Sequence, residues 1–72
     1  MNKLNEEKLK MWKENLQQLE EDLKALMLKK GAAAQEGDLS ENAAYTMAIE
    51  DADTTRVRIA DIKKIIADLE SK

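Results

Sequence analysis

Two apolar stripes of similar length, one in each half of the chain, constrain this sequence more than any other feature. In the first half Leu9, Trp12, Leu16, Leu19, Leu23 and Leu26 follow one another at alternating steps of three and four residues. In the second half Ala48, Ala52, Thr55, Ile59, Ile62, Ile66 and Leu69 do the same. Such a repeat keeps one narrow apolar line on one side of a helix, which is the seam of a left-handed coiled coil. The residues between are mostly Lys, Glu, Asp and Gln, with acid-first pairs at Glu6–Lys10 and Glu20–Lys24 suited to i,i+4 attraction.

The stripes also match in register. If the chain reverses near Gly37, Leu26 faces Ala48, Leu23 faces Ala52 and Leu19 faces Thr55. Leu16, Trp12 and Leu9 then face Ile59, Ile62 and Ile66. Large opposite small near the reversal gives the complementary packing a thin seam needs. The expected fold is all-α: an antiparallel two-helix coiled-coil hairpin, a single domain over residues 1–72. Helix 1 is expected over about 3–35, the tip over 36–40 and helix 2 over about 41–70. Arms of about thirty residues, at about 1.5 Å each, make a rod about 45 Å long, narrow enough to enter a channel.

Composition narrows the chemistry. The chain has no cysteine and no histidine, which removes disulfides, thiolate sites and the commonest general base and transition-metal ligand. Any metal would be a hard cation held by carboxylates. Charged residues make up 38% of the chain while the net charge is only −3, a balance that suits a solvated helical surface more than a nucleic-acid-binding face. The absence of proline favours long helices. No apolar run reaches membrane-spanning length and the N-terminus lacks a signal-peptide pattern, so a cytoplasmic protein with no membrane partner is expected. Met11, Met27, Leu28, Met47, Ile49, Val57 and Ile65 lie beside the seam. They either widen the apolar face or mark self-association as a homodimer, or the dock of another partner.

Gly31 is compatible with a helix end after Lys29 and Lys30. The run Ala32-Ala33-Ala34 favours continuation past it, leaving Gly37 as the stop. Between Gly31 and Thr55 there is no Lys or Arg, but there are Glu36, Asp38, Glu41, Glu50, Asp51 and Asp53. Asp38 and Glu41 fit a capping box at the start of helix 2, each accepting a backbone N–H. They equally fit a pair of hard oxygen ligands on a projecting point, which would complete a metal site that a partner half supplies. Ser40 is an alternative N-cap, Asn42 can bond locally, and Tyr45 falls in register to close the hairpin over the aliphatic part of Lys30.

The string Gly37-Asp38-Leu39-Ser40-Glu41-Asn42-Ala43-Ala44-Tyr45 resembles the tip of the bacterial Gre transcript cleavage factors, the GreA/GreB family. The N-terminal domain of that family is an antiparallel coiled coil ending in Gly-Asp-Leu-x-Glu-Asn-x-x-Tyr. The likeness extends from about Ala33 to Ile66, with Ala48, Glu50, Arg58, Ile59, Asp61 and Ile62 in step, and only the apolar pattern agrees in the first arm. The resemblance implies that the coiled coil inserts into the secondary channel of RNA polymerase. There the tip acids, by position Asp38 and Glu41, help hold a Mg²⁺ shared with the polymerase, which then cuts the extruded RNA 3′ end. It further implies that Gly37, Leu39, Ser40, Asn42 and Tyr45 shape the tip, and that the chain assists the polymerase's nuclease without being an enzyme or binding a cofactor tightly alone.

Three departures stand beside the likeness. The family's C-terminal globular domain is absent from this sequence. Ala34 or a neighbour replaces an arginine often found before the tip, leaving Lys29 and Lys30 as candidate RNA or polymerase contacts. Ala52-Asp53-Thr54 replaces a usual Gln-Ala-Phe. Two alternatives remain: a channel-binding inhibitor, or a structural coiled-coil dimerisation module whose acids serve only as caps.

Overall fold

The computed structural model describes residues 2–71, with Leu39 described by its backbone alone. Two long helices, α1 (Lys3–Ala34) and α2 (Ala43–Glu70), are joined by a short 3₁₀ turn at Leu39–Glu41. They pack against each other along their lengths as an antiparallel hairpin. The rod measures 54 × 14 × 12 Å, longer than the arms alone because the tip adds to them. Asn2 opens α1 as its N-cap, its side chain accepting the Asn5 N–H at 2.8 Å.

The two stripes form the seam. On α2 Ala48, Ala52, Thr55, Ile59 and Ile66 are buried, with Ile62 and Leu69 half-buried. On α1 the stripe leucines, Leu9 to Leu26, and Trp12 are half-buried, and Ala33 is the buried residue. The division follows from shape. Small alanines near the tip let the helices approach closely, so the long leucines opposite reach past them and keep an edge in water. Thr55, the one polar residue in the buried set, donates its hydroxyl to the Asp51 carbonyl at 2.8 Å and so leaves nothing unpaired.

The off-seam residues divide. Ile49 and Ile65 are half-buried and widen the apolar face, whereas Met11, Met27, Leu28, Met47 and Val57 are exposed, Leu28 to 76%. Gly31 lies inside α1, as its alanine-rich surroundings require, and Gly37 makes the reversal with φ at +133°.

Two expectations need correction. The second helix does not begin within Asp38–Glu41 but at Ala43, with Asn42 as its N-cap. Among the described residues the pairs Glu6–Lys10 and Glu20–Lys24 do not close into ion pairs. Lys13 instead meets Glu70 across the arms at 3.6 Å, and Arg56 meets Asp53 at 3.2 Å. Exposed charges on long stems gain too little from one geometry to hold it. The mirror pairing about Gly37 describes contacts at the tip, Ala33 with Asn42 and Lys30 with Tyr45. Further out, the long exposed side chains in the Arg56–Met27 and Lys13–Glu70 contacts meet nearer the C-terminus of α2 than that mirror places them, which leaves the apolar pairs of the seam untouched. Helical side chains lean toward their own N-terminus, which in an antiparallel pair shifts opposing groups past each other.

Candidate functional site at the acidic tip

Gly37 turns the chain out of α1, and the next residues form a single 3₁₀ turn closed by a long hydrogen bond, Glu41 N–H to the Asp38 carbonyl at 3.4 Å. Asp38 precedes this turn and Glu41 ends it, three residues on, so both acids sit at the tip, and both are exposed.

Their environments differ. One carboxylate oxygen of Asp38, Oδ1, accepts both the Ser40 hydroxyl at 2.8 Å and the Ser40 amide at 2.9 Å. These two bonds, the hydroxyl first, hold the Asp38 carboxyl below its ordinary range and keep it ionised further into acid. The second oxygen, Oδ2, accepts no hydrogen bond among the described residues, nor does the side chain of Glu41. The capping box does not form, because Asn42 has taken the cap from both acids. Ser40 is likewise not the cap but the clamp on Asp38. The Asp-x-Ser spacing carries the signal for this local turn.

Asn42 joins the arms. Its Nδ2 donates to the Ala33 carbonyl at 2.7 Å, nine residues back and near the end of α1, while its Oδ1 accepts the Tyr45 N–H at 3.1 Å. The bond back to α1 is beyond what Asn42's neighbours in sequence reveal. Tyr45 is half-buried with the Lys30 ammonium 6.0 Å from its ring centre, so it is the charged end of Lys30, and not only its aliphatic stem, that sits over the ring. Lys30 is thereby turned into the hairpin. Lys29 is exposed and lines a groove behind the tip with Leu26, Ala32, Ala44, Met47 and Asp51. The two lysines therefore face differently. The Leu39 side chain lies outside the described residues.

Six acids and no base lie between Gly31 and Thr55, leaving nine acids against twelve bases on the remainder of the chain. The tip and the shaft just behind it are thus negative and the rest of the shaft mildly positive. Among the described residues no cluster of three or more ligating side chains exists that could enclose a metal ion. Two carboxylates are the whole donor set here, a fit for a hard cation that draws its other ligands from water or a partner.

No curated protein and no solved structure matches the chain. A family model does: GreA/GreB, described as "Transcription elongation factor, N-terminal", matches residues 2–70. With nearly the whole length covered and the hairpin in place, the chain belongs to the GreA/GreB N-terminal domain family of transcription elongation factors.

Proposed function

We propose that this hairpin enters the secondary channel of RNA polymerase and places Asp38 and Glu41 beside a Mg²⁺ at the polymerase's own centre, so stimulating cleavage of backtracked RNA. The supporting observation is a pair of exposed carboxylates flanking the turn at the end of the hairpin, Asp38 accepting both Ser40 bonds through one oxygen and Glu41 unengaged among the described residues. The rod is two helices wide along a length of 54 Å, a slender shape that suits entry into a narrow passage. The concentration of acid at the leading end suits a destination held by a cation.

In this reading the chain supplies no catalytic centre. Asp38 and Glu41 would hold the ion together with the polymerase's ligands. A Mg²⁺ so placed supplies Lewis-acid stabilisation and an activated water for phosphodiester hydrolysis. The role of Asp38 is to present Oδ2 already deprotonated, and that of Glu41 is to present a carboxylate with no competing partner among the described residues. Ser40 fixes the orientation of Asp38 by occupying its other oxygen. The protein therefore acts as an accessory to the polymerase's nuclease and not as an enzyme.

The test is cleavage of a 3′-labelled transcript in a stalled, backtracked polymerase complex with the purified chain added. Acceleration is expected, falling by about a hundredfold in Asp38→Asn or Glu41→Gln, which remove a charge and hardly change shape. Asparagine at 38 keeps an oxygen for Ser40, so the turn survives. No acceleration by the unaltered chain would overturn the reading. Lowered nucleotide addition without cleavage would instead identify a channel-occupying inhibitor.

A further inference from the structure

We infer that Asn42 is the positioning residue of the tip: its cross-arm hydrogen bond to the Ala33 carbonyl holds Glu41 at a fixed angle to the shaft. This deepens the cleavage-factor reading and rests on it only for its functional consequence.

The two acids are fixed by different means. Asp38 is held locally, by both bonds from Ser40. Among the described residues Glu41 has no side-chain hydrogen bond, and its amide reaches the Asp38 carbonyl only at 3.4 Å, the longest of the loop and cap backbone bonds. A bond of that length holds its partners loosely. What fixes Glu41 is the residue that follows it. Asn42 makes four hydrogen bonds: Nδ2 to the Ala33 carbonyl at 2.7 Å, Oδ1 from the Tyr45 amide at 3.1 Å, and its own carbonyl from the Thr46 amide at 3.1 Å and the Thr46 hydroxyl at 3.3 Å. Three of these anchor it to α2. The fourth, and shortest, ties it to α1.

The Ala33 carbonyl belongs to the last turn of α1, whose oxygens lack helical partners. It already accepts the Glu36 amide at 3.1 Å, and Asn42 fills its second acceptor position. Because Ala33 is buried in the seam, the anchor on that side is as rigid as the packing itself. Glu41 is thus one peptide unit from an atom fixed to both helices.

The cap and the tie use different atoms of one side chain, so they can be separated. Aspartate caps a helix as well as asparagine but has no N–H to give to Ala33, and serine caps without reaching it. The experiment is ¹⁵N relaxation and amide exchange on the labelled full chain carrying Asn42→Asp or Asn42→Ser, followed by the backtracked-complex assay. The Tyr45 amide should stay protected in both variants, while order parameters at Leu39–Glu41 fall from about 0.85 to below about 0.6. In the cleavage assay the maximal rate should drop about tenfold or more at saturating chain, with the half-saturating concentration changed less than about twofold.

Unchanged order at Leu39–Glu41 in both variants overturns the inference, whatever happens in the assay. Loss of Tyr45 protection in both overturns it too, because cap and tie would then be one interaction. If the relaxation result holds while the unaltered chain cleaves nothing, the positioning role stands and the proposed function fails.

Discussion

Shaft and tip of this molecule are held together in opposite ways. Along the shaft, burial is spread over a dozen residues, no side chain of which is fully enclosed, and no single contact is indispensable to the helical register. At the tip each structural relation depends on one group: Gly37 for the reversal, Ser40 for the Asp38 carboxylate, Asn42 for the bond between the arms. The shaft is specified by a pattern and the tip by individual atoms. A thin coiled coil tolerates many apolar spellings of its seam, while a loop held by a few specific groups tolerates few changes.

Removing bulk from the seam should break the shaft most. Ile59 is buried, and Ile59→Ala should lower the unfolding free energy by about 3 kcal/mol in a urea titration followed by helix signal. A loss under about 1 kcal/mol would mean that the seam is looser than the burial implies.

The two glycines sharpen the contrast because one substitution should act with opposite signs. A Cβ at Gly37 meets nothing within 4 Å, yet φ is +133°, so Gly37→Ala should cost about 1–3 kcal/mol through backbone strain alone. A Cβ at Gly31 also meets nothing, on a helical backbone, and Gly31→Ala should add about 0.5–1 kcal/mol. Parallel thermal melts of the two variants, moving in opposite directions, are the check.

The smallest effect on stability is expected at Ser40. Ser40→Ala removes the larger of the two influences that lower the Asp38 carboxyl, so its titration followed by carboxyl NMR shift should move up toward the usual aspartate range. The sign follows from linkage: a carboxyl lowered by folding contributes stability above its unfolded value and loses it as pH falls through the folded one. Asp38 is fully exposed, so melting at neutral pH should hardly change. An unmoved titration would show that the hydroxyl does not govern this acid.

Much of the shaft was legible before any coordinates. Every seam residue from Leu9 to Leu69 is buried or half-buried, because periodicity is a repeated signal and each turn of helix restates it. Gly37 was legible as the stop for a similar reason, since few residues adopt its backbone angle. The start of α2 was not. By local preference Asp38 and Ser40 suit an N-cap as well as Asn42 does, so the sequence reading places the cap on the first two. Asn42 is set apart by its bond to Ala33, a relation between residues that become neighbours only after the arms meet. The surface ion pairs failed for a different reason: at exposed positions the energies are too small to select one partner among several.

The straightness of the rod makes it a ruler. Its 54 Å are set by two helices of fixed rise, so the distance from the open end to the acids is counted in residues. Seven residues inserted in each arm would preserve the seam phase and advance the acids by about 10 Å. A binding surface near the open end would then set how far inside a host the far end works, with no alteration to the far end itself.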